Sequence, residues 1–215
     1  LSTLKALATL IGKPKRLNAL LSYGHKGYLA TIGWFTAFDT KQAVDAEGQP
    51  LPWVTYSFID FIKPRLNKNL SIFEYGSGNS TLFYAKNVRR VVSVEHDEAW
   101  FNKIVNEKAT NAEMIFTALE KDGEYSQKAK LLNEQFDIII VDGRDRVNCC
   151  KHSVDALSTN GVLVLDDSER DFYDEARVFL TAKGFKEISF SGISPGMFYN
   201  KATSIFYKPD NCLGI

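Results

Sequence analysis

Acidic residues close the apolar runs of this chain. Glu95 follows Val91-Val92-Ser93-Val94, Asp142 follows Phe136-Asp137-Ile138-Ile139-Ile140-Val141, and Asp166 with Asp167 follows Val162-Leu163-Val164-Leu165. A fourth acid, Glu74, ends Ser71-Ile72-Phe73 and leads into the turn Gly76-Ser77-Gly78-Asn79-Ser80-Thr81. Acids recurring at the ends of buried parallel strands share one sheet edge, the edge where open α/β sheets bind ligands. The glycines let backbone approach a ligand closely, and a helix start near Asn79 offers free N–H groups to a carboxylate or phosphate. Glu95 lies 19 residues after Gly76 and suits both hydroxyls of a ribose. Hydrogen bonds to such an ionised acceptor are roughly twice as strong as neutral ones.

The elements that position these acids alternate regularly. Strand 71–74, the glycine turn, a helix over about 82–87 and strand 91–94 form a first βαβ unit. A helix over 98–110 follows, with Phe101, Ile104 and Val105 on one stripe, then a short strand at 113–116. Residues 120–130 read as a polar, mobile stretch, with at most a helical turn at 129–133. Strand 136–141, helix 147–157, strand 162–165 and helix 172–183 complete the alternation. The tail differs: 185–190 and 203–207 are alternating strands joined through Gly192, Pro195 and Gly196, an antiparallel pair. The expected fold class is α/β, a doubly wound Rossmann-like, mostly parallel sheet with a C-terminal antiparallel strand pair and helices on both faces.

The first 52 residues form an extension, and 53–215 the main domain. Leu4, Leu7, Ala8 and Leu10 fall at helical spacing, as do Leu17, Leu20 and Leu21 after Pro14. Lys5, Lys13, Lys15 and Arg16 make this arm basic, which suits either packing on the domain or a membrane surface or partner. Residues 23–53 are rich in glycine and aromatics, too apolar for a free linker, and are expected to lie against the domain. In helix 53–64, Val54, Phe58, Phe61 and Ile62 share a face.

Composition narrows the function classes. Of 215 residues 45% are apolar, enough for a core, and 26 basic residues balance 26 acidic ones. That balance gives no composition-level argument for nucleic acid. The three cysteines, adjacent Cys149 and Cys150 plus Cys212, lack metal-ligand spacing, so a reduced, cytoplasmic chain is expected. No run of about 18 apolar residues predicts a transmembrane helix. The chain begins with Leu1 rather than Met, as a trimmed or processed start would leave it.

A dinucleotide fingerprint requires glycine or alanine where this turn has Thr81. Glu74 would repel a pyrophosphate but pair with an ammonium, which favours S-adenosylmethionine (SAM) over a nicotinamide cofactor. The successive runs EYGSGNST, VVSVEHD, FDIIIVDG and GVLVLDD resemble the motifs of class I SAM-dependent methyltransferases over residues 53–208. PWVTYSFIDFI and VDGRDRVNCC are similar to a bacterial subgroup of unsettled substrate. The resemblance implies that Glu74, Gly76, Ser77 and Gly78 shape the methionine pocket, that Asn79 and Ser80 offer the helix start, and that Glu95 holds the ribose. His96 would lie beside the adenine, and the acid that meets the adenine amino group is not evident within 117–120.

Methyl transfer discharges a sulfonium in line, so positioning, desolvation and deprotonation of the acceptor are what a protein supplies. Asp142 is the candidate base and a cofactor contact. Asp142, Asp166 and Asp167 also resemble the metal site of catechol-type O-methyltransferases, where three carboxylates would suit Mg²⁺ or Ca²⁺. Asp167 stands where that family has Asn, and Asp167 and Ser168 equally suit helix N-caps. Arg144 and Arg146 would bind an anionic substrate or pair with the acids. Trp53 and Tyr56 would wall the pocket or pack together. Cys149 and Cys150 read as helix-core residues. The resulting expectation is O-methylation of a small-molecule or glycan-like acceptor. The alternatives are a non-catalytic scaffold with a degenerate SAM site, a nicotinamide enzyme and an aminopropyltransferase.

Overall fold

The structure is a computed structural model that describes residues 3–107 and 109–215. Leu1, position 108 within the expected helix 98–110, and the side chains of Leu4 and Leu7 lie outside the described residues. Seven strands form one sheet: β1 Ser71–Tyr75, β2 Arg90–Glu95, β3 Ala112–Phe116, β4 Phe136–Val141, β5 Leu157–Asp166, β6 Lys186–Gly192 and β7 Lys201–Tyr207. Their spatial order is β3-β2-β1-β4-β5-β7-β6. The first five run parallel, and β7 lies antiparallel between β5 and β6. The order reverses between β1 and β4, and a crevice opens there at their carboxyl ends.

Burial on both faces explains the continuous apolar strands. Ile72, Val91, Ile138, Ile140, Val162 and Val164 pack on one face against helices α5 (Tyr56–Ile62) and α6 (Asn79–Asn87). Phe73, Val92, Ile139, Val141, Leu163 and Leu165 face the other way. There they meet α8 (Glu124–Leu131), α9 (Arg146–Ser153) and α10 (Asp174–Ala182). Cys149 and Cys150 are buried in α9 as expected, with free thiols. The remaining helices are α7 (Glu98–Ile104) beside β2, and α1 (Thr3–Ile11), α2 (Pro14–Ser22), α3 (Tyr28–Thr31) and α4 (Trp34–Thr40) in the extension.

Several boundaries differ from the sequence expectation. Helix α6 starts at Asn79, inside the glycine turn, because Gly78 supplies a φ of 148° as its N-cap. The stretch expected to be mobile is the ordered helix α8, anchored by Tyr125 and Ala129, both wholly buried. Two apolar anchors four residues apart hold it, too sparse a stripe to stand out among the lysines. Strand β5 begins at Leu157, five residues early, and α7 stops at Ile104 and gives way to a 3₁₀ turn. Asp167 and Ser168 cap no helix: Asp167 takes a left-handed φ of 53°, and Ser168 Oγ bonds Ser204 Oγ at 2.8 Å.

The extension meets the domain from Tyr28 onward. Trp34 Nε1 donates to the Met197 carbonyl at 2.8 Å, and Ala37, Ala43, Val44 and Leu51 are buried. Tyr28, though largely exposed, has its hydroxyl beside Asp60 of α5, and Ile32 packs on the core, so most of segment 23–53 lies against the domain as expected.

The crevice depends on a close approach between the turns after β1 and β4. A Cβ built on Gly143 would stand 2.0 Å from Tyr125 Oη and 3.1 Å from the Gly76 nitrogen. Only glycine fits. Gly143→Ala is expected to cost about 1–3 kcal/mol in urea unfolding, the usual range for overpacking. An unchanged midpoint would show that Tyr125 moves aside freely.

Candidate active site

A cavity of about 850 Å³ occupies the crevice. Glu74, Gly76, Ser77, Gly78, Asn79, Ser80, Glu95, His96 and Asp142, every residue assigned by resemblance to cofactor contact, line it. The glycine turn is held open from within. Thr81 Oγ1 accepts from the Gly78 N–H at 3.1 Å and donates to Glu74 Oε2 at 2.7 Å. Ser93 Oγ donates to the Gly76 carbonyl at 2.6 Å. Thr81, the residue that breaks the dinucleotide fingerprint, therefore ties the turn to the acid beneath it.

Glu74 and Glu95 are both buried but differently satisfied. Glu95 Oε2 accepts from Ser77 Oγ at 2.8 Å, and Oε1 from the backbone N–H groups of His96 and Asp97 at 2.7 and 2.9 Å. His96 Nδ1 lies 2.9 Å from the same Oε1, and its ring meets Tyr125 edge-on. Glu74 has no cation beside it among the described residues. Burial pushes its pKa up to about 7, against the opposing hydrogen bonds from Ser80, Thr81 and Ser93. A cation placed beside an acid in this state would favour its ionised form.

The second acidic group is completed internally. Arg146, expected either to bind substrate or to pair with the acids, is buried and does the latter. Its Nη2 reaches Asp142 Oδ1 at 2.9 Å, and its Nη1 lies 3.3 Å from Asp167. Lys201 Nζ donates to Asp166 Oδ2 at 2.7 Å and to the Trp53 carbonyl at 3.2 Å, and lies 2.9 Å from Asp167 Oδ1. Thr203 Oγ1 donates to Asp166 Oδ1 at 2.8 Å. Two cations thus occupy the space among three carboxylates. The expectation of Mg²⁺ or Ca²⁺ at Asp142, Asp166 and Asp167 is not met, because an ammonium already neutralises the oxygens a metal would need. No cluster of three acidic, histidine or cysteine ligands among the described residues is arranged for a metal.

Asp142 remains partly open. No donor among the described residues bonds its Oδ2, and it lines both the main cavity and an adjoining one of about 350 Å³. Burial, then the neighbouring Asp166 charge, raise its pKa well above the ordinary carboxylate value, while Arg146 and Lys201 oppose. Trp53 also lines both cavities, its indole N–H on the Pro195 carbonyl at 2.8 Å. Tyr56 does not wall either: it is buried in the core under the sheet. Arg144 is exposed on the rim of the main cavity and has no carboxylate partner among the described residues.

Three contributors escaped the sequence reading. Trp100 donates its indole N–H to the Ser77 carbonyl at 3.0 Å and covers Gly78. Residues 40–43 of the extension form a wall, fixed where Asn79 Nδ2 meets the Ala43 carbonyl at 2.8 Å. Lys201 begins β7, and a lone lysine opening an otherwise uncharged strand was the available signal.

No protein-family model matches the chain, and no curated protein matches it. Solved structures do. The O-methyltransferase TomG from Streptomyces achromogenes, in complex with SAM, aligns with a TM-score of 0.54 at 16% identity, over 89% of this chain and 95% of that one. A methyltransferase-like protein from Silicibacter pomeroyi gives 0.53 at 20% identity, over 76% and 91%. A precorrin-6y C5,15-methyltransferase from Geobacter metallireducens gives 0.52 at 16%, over 80% and 96%. The fold is that of the class I SAM-dependent methyltransferases. In this methyltransferase fold the crevice described above is the open end of the sheet at its switch point.

Two outcomes test the electrostatics. A Glu74 pKa raised from 4.5 to about 7 means that the folded chain retains a proton which the unfolded chain releases. Stability therefore falls as pH rises from about 4.5 to 7 and levels off above. Glu74→Gln should remove this loss, worth roughly 3 kcal/mol between pH 5 and 8 by denaturant titration; parallel profiles would refute it. For the other cluster, calorimetric titration of the native protein with Mg²⁺ or Mn²⁺ should show no binding at millimolar metal. Lys201→Met should lose about 3–5 kcal/mol by stranding buried carboxylates. Metal binding by the native protein would show that Lys201 yields its place.

Proposed function

We propose that this protein binds SAM in the main cavity and transfers its methyl group to an acceptor hydroxyl in the adjoining one. Asp142 carries the reading: it stands in both cavities with one carboxylate oxygen fixed by Arg146 and the other without a donor. When bound, SAM would supply an electrophilic methyl group on a positively charged sulfur. Glu74 suits the ammonium of its methionine part, since a neighbouring cation favours the ionised form of an acid left uncompensated by the fold. The free N–H groups at the start of α6, around Asn79 and Ser80, suit its carboxylate. Glu95, oriented by Ser77 and two backbone amides, suits the ribose hydroxyls. His96 and Trp100 offer flat surfaces near these groups.

Asp142 is suited by position to take the acceptor's proton, since its Oδ2 has no donor among the described residues and its side chain borders both cavities. Lys201 and Arg146 hold Asp166 and Asp142 in place, so deprotonation proceeds without a metal. Trp53 and Tyr199 on the smaller cavity present aromatic surface of the kind that packs on sugar rings, and Arg170 and Asn200 add donors. These features support a small-molecule or glycan-like acceptor, with Arg144 available to an anionic substituent.

The scaffold reading draws on the same Arg146 contact, which occupies one oxygen of the proposed base. Calorimetry and turnover separate the two. SAM and S-adenosylhomocysteine should both bind, and Glu95→Ala should weaken SAM by about 1–3 kcal/mol. No heat at millimolar ligand would end the SAM reading. Asp142→Asn should leave affinity within a few-fold while turnover on a panel of hydroxyl acceptors falls about 10²- to 10⁴-fold. Cofactor binding without turnover on any acceptor would favour the scaffold.

A further inference from the structure

We propose that the α1–α2 arm docks this chain peripherally on an anionic lipid surface. The charge of the molecule is unevenly divided. Residues 1–38 carry Lys5, Lys13, Lys15, Arg16 and Lys26 and no carboxylate, so the remaining 177 residues bear a net charge of −5. All five cations are exposed, and none has a carboxylate partner among the described residues. Elsewhere cations and acids are interspersed, and Lys130 and Arg170 pair with neighbouring carboxylates.

Apolar side chains stand beside these cations. Leu17, Leu20 and Leu21 fall at i, i+3 and i+4 on α2, which buries no residue at all. Leu21 is 65% and Leu20 45% exposed, and Ile11 at the end of α1 is 66% exposed. Lys13, Lys15 and Arg16 flank this stripe in the α1–α2 connection and the first turn of α2. Among the described residues, helices α1 and α2 touch each other, and neither packs on the sheet domain to a comparable extent. Tyr23 and Tyr28 follow, also exposed.

An apolar stripe bordered by unpaired cations is what a helix lying in a bilayer interface requires: leucines enter the acyl boundary while lysines meet anionic headgroups. A protein partner would have to supply a matching apolar groove and acids at fixed positions; a lipid surface supplies both without register. The net-negative remainder is repelled by the same surface, which orients the domain with the arm toward the bilayer. No helix among the described residues is long and apolar enough to cross a membrane, so the contact is peripheral. This proposal does not depend on the SAM reading.

Vesicle flotation of the full chain tests it. The protein should float with phosphatidylcholine vesicles containing about one-third phosphatidylglycerol, and bind about ten-fold or more weakly to pure phosphatidylcholine. Binding should also be lost at about 0.5 M salt, where surface charge is screened within a few ångströms. Lys13→Glu with Lys15→Glu and Arg16→Glu should abolish flotation, as should Leu20→Ser with Leu21→Ser, each with an unchanged melting temperature. Failure of the native protein to float would overturn the proposal. So would an oligomer, seen by light scattering, that Leu20→Ser with Leu21→Ser converts to a monomer while vesicle binding persists; the stripe would then be an interface between copies.

Discussion

Five carboxylates crowd one edge of this sheet, and their electrostatic compensation governs the rest of the design. Glu74, Glu95, Asp166 and Asp167 are buried, and Asp142 is partly so. Charges withdrawn from water must be paired, hydrogen-bonded or neutralised by a proton. The protein uses a different solution at each place. Glu95 takes a hydroxyl and two backbone amides, Asp166 and Asp167 take Lys201 and Arg146, and Glu74 takes hydrogen bonds from Ser80, Thr81 and Ser93 that do not offset its burial. The imbalance has a direction. Toward β5 and β7 the charge is already closed, and toward β1 and β2 it is open to a cationic ligand. Asp142 stands at the seam between the two.

The same contrast explains what the sequence disclosed. Strand order, the antiparallel tail and the acids at the strand ends were legible because each rests on a local signal: an apolar run, its terminal acid, a glycine turn. Thr81 was legible as a departure from the dinucleotide pattern, though its bond to Glu74 was not. The metal expectation failed for a reason of range. Asp142, Asp166 and Asp167 look like a ligand set when read along the chain. The ammonium that fills it comes from Lys201, 35 residues beyond Asp166 and brought there by the antiparallel pairing of β5 with β7. Charge compensation across a sheet is a tertiary fact. Spacing along one strand does not contain it.

Tyr56 and α8 show the converse, where local chemistry misled. An aromatic near the first motif suggested a pocket wall, yet its place at the start of α5 turns it into the core. The polar composition of 120–130 suggested mobility, yet Tyr125 alone reaches Gly143, the Arg144 amide and His96 and fixes the loop after β4. One large buried side chain fixes the helix, while Lys121 and Lys130 stay in water at no cost to the packing.

The extension gains its part in the site through two hydrogen bonds. Asn79 is both the first residue of α6 and the donor to the Ala43 carbonyl, so the wall at 40–43 is tied to the helix start that faces the ligand. Trp34 bonds the Met197 carbonyl, in the loop that borders the smaller cavity. One segment therefore spans both halves of the crevice, closing over the open, anionic side and the internally compensated side together. The cavity is shaped as much by this cover as by the strand ends beneath it. The strand ends set the charge, and the cover sets which shapes can meet it.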